Sequence, residues 1–231
     1  MGNSRLKNSA LNFASGFLGR VLTILLNFIV RTIFIHCLNE AYLSVNGLYS
    51  NILTVLSLAE LGFGSAMVFR MYAPVAAKDY QKTAALLHFY KKIYAIIGAV
   101  IFGLGLCVIP FMDYIIKDKP DVSGLTLYYI LFLINTTISY WFASYKASVL
   151  YADQKEYIKT NVQNATTILQ SVLQIVLLLI FRKYLLYLLV QLGCNIILNL
   201  YVAHLVDKRY PQIREHQDAR LTSDERGQIK K

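Results

Sequence analysis

Apolar residues fall in six blocks along this chain, at about 11–37, 43–69, 93–116, 125–150, 160–181 and 184–206. Each block is close to the roughly 20 residues that a helix needs to cross a bilayer. The pattern predicts an all-α integral membrane protein with six transmembrane helices. Short links ("NEAYL", "KDKPDVSG", "RKY") alternate with longer basic ones. Between the second and third blocks, "APVAAKDYQKTAALLHFYKK" is too polar to insert, and its mixture of apolar and basic residues predicts an interfacial cytoplasmic helix near 76–92. After Val206 the character changes to "DKRYPQIREHQDARLTSDERGQIKK". Residues 1–206 therefore read as one bundle and 207–231 as a cytoplasmic linker or tail.

Composition agrees with that division. Of the 231 residues 56% are hydrophobic and only 16% charged, against about 25% charged in ordinary soluble domains. The net charge of +10 raises nucleic acid as a partner, but the placement of the cations argues otherwise. Seventeen of the 23 Lys and Arg lie at the N-terminus, in the longer links and in the tail, and only four lie in the short links. By the positive-inside rule both termini are cytoplasmic. The N-terminus lacks the serine or threonine that myristoylation requires, and the first apolar run is too long for a signal peptide and carries Arg20 and Arg31. Cys37, Cys107 and Cys194 are far apart in apolar surroundings and read as packing residues. Tyr128, Tyr129, Tyr140, Trp141, Tyr145 and Tyr151 bracket the fourth block as interfacial aromatics.

Catalytic motifs are missing. There is no G-x-x-x-x-G-K-[ST] loop and no His or Cys spacing for a metal, so neither enzyme activity nor a cofactor is expected. "GFGSAM" lacks the third glycine and the preceding strand of a dinucleotide loop; Gly62 and Ala66 read as small residues at a helix contact. The two glycosylation-like tripeptides, at Asn135 and Asn164, lie inside spans.

Polar residues within the spans are the informative ones. Arg20, Asn27 and Arg31 lie within about 40° of one another on helix one and share a face. Glu60 interrupts the run "ILTVLSLAELGFGSAMVFRMY". Arg20 and Glu60 are each about 13 Å from the cytoplasmic interface, a depth at which they would form a structural ion pair. Arg31 lies nearer the outer third, where it either snorkels or serves a substrate. Helix five carries Gln163, Thr167, Gln170 and Gln174 along one face, and helix six carries Gln191, Asn195 and Asn199. Such stripes either join helices or line a hydrated path. Guanidinium groups in a cavity suit an anionic substrate, because they bind phosphate in a fork.

The stretch "RTIFIHCLNEAYLSVNGLYSNILTVLSLAELGFGSAMVFRMYAPVAAKD" resembles the first hairpin of Wzx-type oligosaccharide flippases, and "FYKKIYAIIGAVIFGLGLCVIPF" and "YADQKEYI" are similar to that family as well. Asn39 and Ser44 stand where the family usually has glycines. The resemblance implies the multidrug/oligosaccharidyl-lipid/polysaccharide exporter fold, in which two six-helix lobes flank a central cavity. This chain would supply the N-terminal lobe, with a second lobe in the same or a neighbouring chain. The implied activity is translocation of an undecaprenyl-diphosphate-linked oligosaccharide across the bacterial inner membrane by alternating access. On that reading Arg20 and Arg31 attract the diphosphate, Gln170, Gln174 and Asn195 bond to sugars, and Asn27 is a further substrate-binding residue. The alternatives are a cation-coupled small-molecule exporter of the same superfamily, or a membrane fragment that transports nothing.

Overall fold

The computed structural model describes residues 2–58, 63–115, 122–142, 144–216 and 218–221. Helices are the only regular structure among them: α1 Gly2–Cys37, α2 Glu40–Ser57, α3 Phe63–Ala76, α4 Tyr80–Val108, α5 Met112–Ile115, α6 Leu125–Trp141, α7 Ala147–Ala152, α8 Glu156–Phe181, α9 Tyr184–Arg209 and α10 Pro211–Glu215. Short 3₁₀ turns at Ile109–Phe111 and Ser144–Lys146 lead into α5 and α7. Among the described residues four helices are long and apolar enough to cross a membrane: α1, α4 with its 3₁₀ extension, α8 and α9. The pair α6 and α7, bent by 46°, makes a fifth if counted as one broken span.

Two hydrophobic clusters organise the bundle. One gathers Met67, Met71, Leu86, Tyr90, Val149, Leu150, Val202 and Val206. The other gathers Phe34, Tyr49, Leu53, Tyr129, Leu133, Leu178 and Leu188. On α9 their nearest members, Leu188 and the partly buried Leu198, are ten residues apart, or about 15 Å. The chain passes back and forth between them: α2 feeds the second cluster and α3 the first, α6 the second and α7 the first. On α9 Asn195 falls between Leu188 of the second cluster and Leu198 of the first, and it bonds to Asn135 of α6.

Local chemistry explains several junctions. Asn39 holds φ at 126°, a region that favours glycine, and its Oδ1 accepts from Ala41 N at 2.9 Å and Tyr42 N at 3.4 Å. Asn39 thus takes a glycine-like backbone and caps α2 with its side chain. Asp79 caps α4 by accepting from Lys82 N at 2.9 Å. Nothing on Lys155 caps α8; Asn12 of α1 does so from outside, its Oδ1 accepting from Tyr157 N at 2.7 Å while its Nδ2 donates to Gln154 O at 3.2 Å. Two turns further along α8, Asn164 Nδ2 donates to Ser15 O at 3.2 Å and lies against Gly19, where a Cβ would meet Asn164 Oδ1 at 2.3 Å.

Two expectations change, and a third lies partly outside the described residues. Residues 80–92 are not a separate interfacial helix; they are the first turns of α4, continuous with the apolar run, and Thr83 to Leu87 are all buried. Of the run 43–69, α2 covers the part up to Ser57 and α3 the part from Phe63, and residues 59–62 lie outside the described residues. Serines, asparagines and a threonine make α2 too polar to meet the standard of a lone spanning helix. Nor do Tyr129 and Tyr140 face the surface. They are 0% and 7% exposed, and Tyr129 donates its hydroxyl to Gly105 O at 2.9 Å.

Candidate functional site

The site is built around the break between α6 and α7. At Phe142 the backbone leaves the helix with φ −98° and ψ 68°. No proline or glycine causes this; the second half is held elsewhere by polar contacts. Lys146 Nζ pairs with Asp207 of α9 at 2.5 Å, and Ser144 Oγ donates to Asn199 Oδ1 at 2.8 Å. From there a chain of amides runs back to α6. Asn199 Nδ2 donates to Asn195 O and Oδ1, both at 2.9 Å. Asn195 Nδ2 donates in turn to Asn135 O at 2.8 Å and Asn135 Oδ1 at 3.1 Å. The chain therefore ties both sides of the break to one helix.

A groove of about 600 Å³ opens beside the break, walled by α3, α4, α6, α7 and the start of α8. A recess of about 180 Å³ continues it and shares Ser139, Ser144, Ala147 and Lys159. Tyr72, Tyr94, Tyr140 and Tyr151 line the groove with Ser65 and Ser148, and Gln163, Asn195 and Asn199 line the recess. One charge of each sign, Glu156 and Lys159, stands at the start of α8, and Lys159 Nζ donates to the Tyr151 hydroxyl at 2.6 Å. Tyrosine offers an apolar ring with a polar tip, and serine hydroxyls and amides both donate and accept. A wall of this kind fits a neutral polyhydroxylated ligand better than a bare ion.

The residues expected from the sequence divide into groups. Asn195 lies in the recess, but its amide is committed to joining helices. Gln174 is 2% exposed and donates to Tyr187 O at 3.3 Å, at the other end of the bundle, so it holds α8 to α9. Gln170 is half-buried with no hydrogen bond among the described residues. Arg20, Asn27 and Arg31 are all exposed on α1, on the flank of the face that packs against α8. Glu60 and Gly62 lie outside the described residues, and so does the expected Arg20–Glu60 pair.

Sequence reasoning missed the groove's main components, Tyr72, Tyr94, Ser139, Ser144, Ser148 and Lys159. The signal was present in "TTISYWFASYKAS", where hydroxyls crowd one stretch of an apolar block. It was masked because tyrosine near a span end reads first as an interfacial anchor. Comparison of the chain with protein-family models, curated proteins and solved structures gave no match.

Proposed function

We propose that this chain forms one lobe of a membrane transporter that carries a lipid-linked, anionic oligosaccharide from the inner to the outer leaflet by alternating access. On this reading six segments cross the bilayer, and the end bearing the basic links and tail is cytoplasmic. The observation that carries the proposal is the tyrosine- and serine-lined groove beside a broken helix, between two apolar clusters. Broken helices mark binding sites in transporters because they free polar groups at membrane depth. The groove suits sugar hydroxyls. The exposed stripe of Arg20, Asn27 and Arg31 suits a diphosphate, facing a second lobe across the cavity.

The test is complementation of a strain lacking the gene, with the second lobe present and surface polysaccharide measured at matched protein levels. Tyr72→Ala with Lys159→Ala should reduce output through the groove, and Arg31→Ala through the stripe. Normal output from both the double variant and Arg31→Ala would overturn the proposal. Glu156, an acidic side chain on the groove wall, favours a second reading as a cation-coupled exporter of small molecules. That reading requires Glu156→Gln to abolish proton-driven efflux of a dye from vesicles.

A further inference from the structure

A second cleft, of about 1020 Å³, lies away from the groove, between α3, α4 and the tail residues Arg220 and Leu221. Its volume reaches the upper end of small-molecule pockets, roughly 300–1000 Å³. The floor is apolar, formed by Phe63, Met67, Phe89 and Ile93. Arg70, His88, Lys92 and Arg220 border it, contributed by three separate elements, and no described acidic side chain lines it. His88 Nε2 is buried without a hydrogen-bond partner among the described residues. The neighbouring recess, which His88 and Arg220 also line, holds Asp207, already paired with Lys146 at 2.5 Å, and the exposed Asp218.

The cleft runs out along the face of α4. Ile96, which lines it, is 63% exposed; Val100 and Leu104, the next residues along that face, are 49% and 48% exposed. Lys92 precedes this track by one turn. Cations at one end and an exposed apolar strip at the other match the two parts of a phospholipid, with the charge at the cytoplasmic level where anionic lipids attract Lys and Arg. We infer that this cleft binds an anionic glycerophospholipid, its phosphate between Arg220, Lys92 and His88 and an acyl chain along Ile96, Val100 and Leu104. The site rests on the membrane placement of the chain and not on transport.

The test uses the purified full chain in a neutral detergent, titrated with short-chain phosphatidylglycerol or phosphatidylcholine, binding being followed by native mass spectrometry. Phosphatidylglycerol should bind more tightly than phosphatidylcholine. Arg220→Gln and Lys92→Gln should each weaken it roughly fivefold, the loss of one cation's attraction at a lipid surface. Lys208→Gln, an exposed cation on α9 outside the cleft, should leave binding unchanged. Both side chains are exposed, and an unchanged melting temperature without lipid establishes that each variant is folded. Equal binding of the two lipids overturns the inference, as does an equal loss in Lys208→Gln. It is also overturned if inorganic phosphate alone stabilises the chain through Arg220 as much as the lipid does, since the acyl track would then have no role.

Discussion

Asn195→Ala removes two hydrogen bonds that join α6 to α9 around the break and a third within α9. These are the two from Asn195 Nδ2 to Asn135 and the one that Asn195 Oδ1 accepts from Asn199. Interhelical hydrogen bonds between side chains in membranes average about 0.6 kcal/mol by double-mutant cycles. The two between α6 and α9 amount to about 1 kcal/mol. The backbone bond from Asn199 Nδ2 to Asn195 O survives the change and limits the loss. Gln170 supplies the contrast, an amide on the neighbouring helix with no such bond among the described residues. Gln170→Leu should change stability by less than about 0.5 kcal/mol, as substitutions without a named interaction do. Unfolding in mixed micelles with increasing denaturing detergent, followed by Trp141 fluorescence, reads both variants on one scale. Coupling should also appear: Ser144→Ala added to Asn195→Ala should lose less than the two single losses combined, because Asn199 links them. Equal destabilisation by Asn195→Ala and Gln170→Leu would refute the amide chain as a structural tie.

Other consequences are as specific. An added Cβ at Gly105 would lie 2.3 Å from Leu133 Cδ1, so Gly105→Ala should destabilise by about 1–3 kcal/mol through overpacking. Gly103→Ala, with nothing within 4 Å, should be neutral or slightly stabilising; thermal unfolding in detergent separates the two. Relief of the positive φ at residue 39 is worth about 1–3 kcal/mol, against a few tenths for the weaker cap and about 0.5–1 for glycine's entropy. Asn39→Gly should therefore stabilise by about 1 kcal/mol in the same assay, and a loss of stability contradicts the strained turn. Burial, and then a hydrogen bond to Asp153 at 2.5 Å, raise the Tyr210 phenol above its usual value. Its stabilising contribution is full below about pH 10 and disappears as pH rises through the raised folded value. A difference titration of the chain against Tyr210→Phe should show this phenol ionising above about pH 10, not at it.

The helical class, the ends of α1 and α8 and the start of α9 were legible in the sequence, because long apolar blocks end at clear polar links such as "RKY". The continuity of α4 was not legible. Lys82, Lys91 and Lys92 make 76–92 look like surface, yet Thr83 to Leu87 are buried by neighbours that pack from several sides. Hydropathy cannot see a helix enclosed by protein rather than lipid. The amide stripe on α9 was visible as a periodicity, but periodicity cannot tell a bonded amide from a free one. Asn195 and Gln174 hold helices together, while the groove wall comes from tyrosines and serines on five elements that no single period connects.

The account's central claim is that a hydrated groove reaches membrane depth beside the break in α6 and α7. After Cys37, Cys107 and Cys194 are replaced by serine or alanine, the measurement is labelling of single cysteines at Ser139 and Ile197 with a membrane-impermeant maleimide, applied to inside-out vesicles. Ser139 lines both the groove and its recess, and Ile197 sits on α9 between Asn195 and Asn199 but is 54% exposed on the outer surface. The account predicts that Ser139→Cys is labelled and Ile197→Cys is not. No labelling at 139 in a folded protein, or equal labelling at both positions, contradicts it.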